Sequence, residues 1–267
     1  MRKFVLILAS LFAIQAQALT LGVVPQQSAT VLAKNWSPIL AYLSEKTGIE
    51  LQFSTASDIP TFERRVLDGE YDIAYMNPYH FTFFNQHRGF TAMVRRGDAS
   101  LQGILVVRKD SEIESIEQLD GQRVAFPSPA AFAASVLPRA EIASKGVTIE
   151  PIYVKSHDSV YLNVSKGFFP AGGGIGRTLN ATKQAVRDDL RILWKTQPYT
   201  PHAIAAHPRV SDEEREKLTQ ALVEMSNSEE GKALLDALKI ARWEASVDSD
   251  WDDVRGLNID LLDALVK

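Results

Sequence analysis

Hydrophobic and polar positions along this chain switch repeatedly between a period of two and a period near 3.6, and the switching lays out a fold. Residues 20–24 read as a short apolar strand, 35–46 carry apolar residues at helical spacing, and 50–53 return to a strand. Residues 60–67 predict a second amphipathic helix closed by Gly69, and 71–76 a buried strand that Asn77 and Pro78 break at its carboxyl end. Strand patterns follow at 91–94 and 104–108, on either side of a polar, glycine-bearing bend at 95–103.

A second series begins at 115–119: a strand at 123–126, an alanine-rich helix at 130–145, a strand at 148–154, a short helix at 157–166 and a strand at 190–194. From Ser211 the pattern is mostly helical, with Ser211 as N-cap and Glu213 and Glu214 in the first turn. Leu218, Ala221, Leu222 and Met225 recur at helical spacing and are core positions. Two α/β units in series predict an α/β protein of two lobes, each a mixed sheet flanked by helices. The chain is expected to cross between lobes near 95–103 and to return near 195–201. Lobe 1 is then 19–98 with 199–267, and lobe 2, 99–198, is an insertion between two hinge strands. Such a molecule has a cleft between its lobes, where small-molecule sites form and hinge closure can act.

Composition narrows the class. Arg2 and Lys3, an apolar run from Phe4 to Ile14 and the small-x-small triplet Ala16-Gln17-Ala18 predict a secretory signal peptide over 1–18 and a periplasmic mature chain. No second apolar stretch approaches the roughly 20 residues that span a bilayer. Taking Arg2 and Lys3 from the 29 basic residues leaves 27 against 33 acidic ones, a formal charge of −6, which argues against a nucleic-acid partner. The absence of cysteine excludes a disulfide framework, so stability must come from a full-sized core.

Candidate chemistry gathers at predicted strand ends. In open α/β sheets ligands bind in the crevice outside the carboxyl ends of strands, which makes Asn77, Tyr79 and His80 ligand candidates. The alternative is that Tyr79 and His80 only cap a helix starting at Pro78. Ser128 stands between a strand and a helix beginning near Ala130, which it can cap while its hydroxyl and the N–H groups of Ala130 and Ala131 face an anion, or cap with no further role. Ser156, His157 and Asp158 repeat that arrangement after the next strand. The stretch 168–179, with Gly172, Gly173, Gly174 and Gly176 before Arg177, fits neither a Walker loop nor GxGxxG. It reads as close backbone approach to a ligand or to the other lobe, with Arg177 a charged clamp, or as a flexible surface loop. There is no GxSxG, no HExxH and no histidine pair four residues apart, so no catalytic residue, metal site or cofactor is expected.

The succession LGVVPQQSATVLAKNWSPILAYLSEKTG, LDGEYDIAYMNPYHF, LDGQRVAFPSPAAF, VKSHDSVYLNVSKG and EEREKLTQALVEMSNSEEGKALLDALKI resembles the phosphate/phosphite/phosphonate substrate-binding proteins of bacterial ABC transporters over nearly the whole mature chain. The resemblance implies a type II periplasmic binding fold, monomeric, that closes on a small oxyanion and hands it to a membrane permease. It implies contacts from a loop tyrosine, here Tyr79, from hydroxyls and amides at a helix start, here Ser128, and from the histidine of an SHD motif, here His157. The chain departs from its relatives at two places. Pro129, Ala130 and Ala131 replace a run of hydroxyl residues, and Ala171 to Gly174 with Arg177 replace an acidic strand. Proteins of this shape also serve as periplasmic sensor modules, so a histidine-kinase ectodomain is the alternative partner.

Overall fold

The computed structural model describes residues 18–97 and 99–266, so the signal-peptide expectation lies outside the described residues except at Ala18. Two sheets organise the chain. The first draws on β1 (Leu19–Val23), β2 (Leu51–Thr55), β3 (Ile73–Met76), β4 (Thr91–Arg96), β10 (Ala203–Ala206) and β11 (Trp243–Ala245), in the order β11-β4-β10-β3-β1-β2. β1 runs parallel to β2 and β3, while β10 inserts antiparallel between β3 and β4. The second holds β5 (Gly103–Arg108), β6 (Arg123–Phe126), β7 (Glu150–Tyr153), β8 (Ala171–Ile175) and β9 (Leu190–Lys195), in the order β7-β6-β8-β5-β9. The chain passes from the first sheet to the second between β4 and β5 and returns between β9 and β10. The two crossovers are tied by a reciprocal pair, Leu101 N–H to the Tyr199 carbonyl at 2.7 Å and Tyr199 N–H to the Leu101 carbonyl at 2.9 Å.

Helices α1 (Ala29–Thr47), α2 (Ile59–Leu67) and α3 (Pro78–Arg88) cover the first sheet. Ser28 caps α1 by accepting from Val31 N–H, and Gly48, at φ 72°, ends it. The helix therefore starts six residues before the 35–46 pattern, because Leu32 already lies on the buried face of Trp36, Ile39 and Leu43. Trp36 packs against Tyr75 at 4.8 Å between ring centroids, and Trp243 completes the aromatic centre of this lobe. The last third supplies α8 (Asp212–Glu224), capped by Ser211 with Glu214 reaching back, and α9 (Glu229–Ala237).

The second sheet departs from expectation in two places. Residues 130–145 are not one α-helix: a π-turn at Phe132–Val136 leads into α4 (Leu137–Ser144). Pro138 gives the reason, since it has no N–H to return to the Ala134 carbonyl four residues earlier, and the turn widens so that Val136 N–H reaches the Ala131 carbonyl at 3.2 Å. Gly172, Gly173 and Gly174 are not in a surface loop, for they form part of β8, a fully buried interior strand. Its close approach is to neighbours in its own lobe. A Cβ on Gly172 would meet the side chain of Val160 and one on Gly174 that of Tyr161, both from α5 (His157–Ser165), and one on Gly173 the Ala134 carbonyl of the π-turn.

Candidate functional site

Four loops converge where the carboxyl ends of the parallel strands of the two sheets face each other. Gln26 to Ser28 follow β1, Asn77 follows β3, Ala130 to Ala134 follow β6 and Ser156 to Asp158 follow β7. The lobes touch there through specific hydrogen bonds. His157 N–H donates to the Gln26 carbonyl at 3.1 Å, Ser28 N–H to Asp158 Oδ2 at 3.2 Å, and Asn77 Nδ2 to the Ala130 carbonyl at 3.3 Å. Arg177, at the start of α6 (Gly176–Ala181), donates from Nη2 to Gln26 Oε1 at 2.6 Å. Val24, Gln26, Asn77, Phe132, His157 and His202 line the space they enclose, a cavity of about 10 Å³ that is room for one water. The cleft is closed.

Arg177 fixes more than a contact. By holding the amide oxygen of Gln26 it turns the amide nitrogen toward His202, whose Nε2 lies 2.8 Å away. An NH2 group can only donate, so Nε2 of His202 is the unprotonated ring nitrogen. His157 joins a chain of hydroxyls. Ile175 N–H donates to the Tyr161 hydroxyl at 3.1 Å, that hydroxyl lies 2.7 Å from Thr178 Oγ1, and Thr178 Oγ1 lies 3.0 Å from His157 Nδ1. Both hydroxyls also reach the Ile175 carbonyl as donors, at 3.0 Å from Tyr161 and 3.1 Å from Thr178, so the network serves either tautomer of His157, and the one with its proton on Nε2 is the form an anion needs. Burial, reinforced by the Arg177 charge, holds His157 down to about 3, and burial keeps His202 well below its ordinary range. Both imidazoles are neutral. Burial raises the Asp158 carboxyl, against which the Ser28 amide works.

The predicted residues divide. Asn77, Ala131 and His157 line the cavity, while Ala130, Asp158 and Arg177 form the bonds across it. Ser156 caps α5, accepting from Ser159 N–H at 3.1 Å, and does not line the cavity. Ser128 corrects the cap expectation: the helical turn begins only at Phe132, the N-cap position falls to Ala131, and the Ser128 hydroxyl is 2 % exposed with no hydrogen-bond partner. Tyr79 is the larger correction. It is turned away from the cleft toward the C-terminal segment, where its hydroxyl accepts from Leu262 N–H at 2.9 Å and burial pushes its ionisation up to about 12. His80 also leaves the site, its Nε2 lying 2.9 Å from the buried Glu63 carboxylate. Tyr79→Phe is accordingly expected to cost about 1–2 kcal/mol in a denaturant melt, by stranding the Leu262 amide, and to leave ligand affinity untouched.

Sequence reasoning missed Gln26, Thr178, Phe132 and His202. Gln26 was within reach of the rule that picked Asn77, because it follows a strand in the same way. His202 lies on the return crossover ahead of β10 and enters the site only through the way the chain doubles back. Among the described residues no group of three or more His, Asp or Glu could hold a metal ion.

The family model described as "ABC transporter, phosphonate, periplasmic substrate-binding protein" matches residues 21–251. The phosphate-import protein PhnD of Mycolicibacterium smegmatis is 23% identical over 270 residues, covering 90% of this chain and 84% of that protein. Among solved structures, a binding-protein component of an ABC phosphonate transporter from Pseudomonas aeruginosa superposes with a TM-score of 0.83 at 18% identity, over 90% of this chain and 85% of the other. PhnD1 from Prochlorococcus marinus, solved in complex with methylphosphonate, gives a TM-score of 0.81 at 18% identity, over 90% of this chain and 98% of the other. The architecture shared with them is the type II periplasmic binding protein fold.

Proposed function

This chain belongs to the family of periplasmic phosphonate-binding proteins of ABC transporters, and from that membership we propose that its interlobe cleft captures a phosphonate- or phosphate-type oxyanion for delivery to a membrane permease. Relatives of this kind are transport proteins and not enzymes, and their place is the periplasm. Export of this chain, with cleavage near Ala18, belongs to the same proposal. The sensor alternative has no comparable support, since the matching family is defined by transport.

The observation that carries the reading is the pairing of a neutral, buried histidine with a helical N-terminus on one wall of the cleft. The N–H groups of Phe132, Ala133 and Ala134 open the π-turn and have no acceptor within it, so they can meet an oxyanion as a hydroxyl-rich loop would. His157 supplies a donor through Nε2, and Asn77 a side-chain amide from the facing lobe. Ser128, whose hydroxyl is unpartnered, is the added donor once the π-turn shifts on opening. The cavity of about 10 Å³ is too small for a phosphonate, so the lobes must part and reclose around the ligand, hinging on the crossovers that Leu101 and Tyr199 join. Entry exchanges the hydrogen bonds of Gln26 for bonds to the anion.

A thermal-shift panel of phosphate, phosphite, methylphosphonate, sulfate and acetate tests this. A phosphorus anion at 100 times its dissociation constant should add about 2.7 kcal/mol of stability. His157→Ala should abolish the shift. Thr178→Val, which keeps the imidazole but removes the hydroxyl 3.0 Å from its Nδ1, should weaken binding about tenfold, corresponding to ~1.4 kcal/mol. Shifts from sulfate or acetate alone would overturn the reading.

A further inference from the structure

Next to the small cleft cavity lies a second, partly open cavity of about 230 Å³ between the two crossovers and α6. It shares Ile175 and His202 with the cleft, and Arg177, whose guanidinium touches Gln26, stands on the boundary between them. Its polar wall is cationic: Arg177, Lys195 and Arg96 all line it, and none of the lining residues among those described is acidic. Lys195 is placed there by register. It is the Cα partner of Ile104 in the antiparallel pair of β5 and β9, so the two side chains share one face. Leu101, Ile104 and Ile192 supply the apolar remainder of the wall.

On the reading of this chain as a phosphonate-capture protein, we infer that its ligand is two-headed, a phosphonate whose short aliphatic arm ends in a carboxylate. The phosphonate head takes the π-turn amides and His157. The arm runs past Ile175 along the apolar wall, and the carboxylate is held between Arg177 and Lys195. Arg177 already donates to a neutral oxygen, Gln26 Oε1, at 2.6 Å. A carboxylate offers the same planar guanidinium two charged oxygens and a bidentate fit, so ligand entry exchanges a weaker partner for a stronger one. The same charges select against an ammonium-bearing arm, which would be brought against two cations. The arm is short because Ile175 and His202 line both cavities, which places the two heads side by side.

Titration calorimetry on the full mature chain with methylphosphonate, phosphonoacetate, 3-phosphonopropionate and 2-aminoethylphosphonate tests the inference. One of the two phosphonocarboxylates should bind at least about tenfold tighter than methylphosphonate, and 2-aminoethylphosphonate weaker than either, as expected for one added charge-assisted contact. Lys195 is solvent-exposed, so Lys195→Ala should fold normally and lower the ratio of phosphonocarboxylate to methylphosphonate affinity severalfold. Lys195→Glu should move the preference toward 2-aminoethylphosphonate. Methylphosphonate binding with no gain from a carboxylate overturns the two-headed ligand while leaving phosphonate capture intact. A ratio unmoved by both substitutions overturns the assignment of the cavity. Failure of every phosphonate to bind overturns the capture reading and this inference with it.

Discussion

Between pH 6.5 and pH 4 the ligand-free protein is expected to lose stability steeply, by up to about 1.4 kcal/mol per pH unit for each of two histidines. His157 and His202 titrate near 6.5 when exposed, and burial holds both lower in the folded chain, His157 down to about 3. Below pH 6.5 the unfolded chain therefore binds protons that the folded chain refuses, and stability falls with acidity until the folded groups titrate as well. Above pH 6.5 both forms are neutral and the two histidines add no slope. Asp158 acts in the opposite sense at the acid end, because its raised carboxyl takes up a proton in the folded state first. Arg177 works with burial, since a guanidinium beside either ring disfavours a second positive charge. Urea melts at a series of pH values check the slope, and His157→Asn should remove about half of it. A flat profile would mean that water reaches both rings in the folded state.

The same protons bear on closure. His202 accepts from the Gln26 amide through Nε2, and a protonated ring would present an N–H to an NH2 group. Gln26 is the residue through which the first lobe grips Arg177 and the His157 amide. Parting the lobes hydrates both rings at the cost of a handful of hydrogen bonds, far less than global unfolding requires. Small-angle scattering should therefore show the radius of gyration rising with acidity before the melt begins. A phosphonate ligand should suppress that rise, because its charge offsets the imidazolium that acid creates.

The alternation of patterns made most of the architecture legible, and the exceptions have local causes. The strand at 123–126 was readable to the residue, because β6 is a short apolar run with Asp120 and Gly121 before it and Pro127 after it. The strand β8 was not, because β-propensity describes side chains that pack on a pleated surface, and AGGGI has almost none. Its glycines are there because α5 and the π-turn take up the room that side chains would fill. Of the candidate site, His157 and Asn77 were legible from their place after strands. Tyr79 followed the same rule and failed it. Asn77 Oδ1 caps α3 by accepting from His80 N–H at 2.8 Å, and the helix that follows carries Tyr79 round to its far face. A strand-end rule finds the first residue after a strand and loses reliability with each residue of helix beyond it. Pro138 was in plain view as a helix breaker, and it marks the end of the π-turn that opens at Phe132.

Gly173→Ala is expected to destabilise the second lobe by about 3 kcal/mol or more, the upper end of what overpacking costs. A methyl at this position would run into the Ala134 carbonyl and stand 2.6 Å from Phe126 Cδ1. Neither neighbour can yield cheaply. Phe126 is wholly buried in β6, and the Ala134 carbonyl is backbone whose turn is held open by Pro138. Gly176→Ala is the matched control: a methyl there has nothing within 4 Å, it sits at the first position of α6, and stability should change by no more than about 0.5 kcal/mol. Urea melts of the two variants make the comparison. The loss in Gly173→Ala should extend beyond stability, because the π-turn that rests on Gly173 also presents Phe132, Ala133 and Ala134 to the cleft. Pushing it off its seat moves the amides proposed to receive the anion, so affinity should fall in the fraction of molecules that remains folded. If Gly173→Ala melted like the parent and bound like it, the π-turn would not be seated on β8, and the explanation for the glycines would go with it.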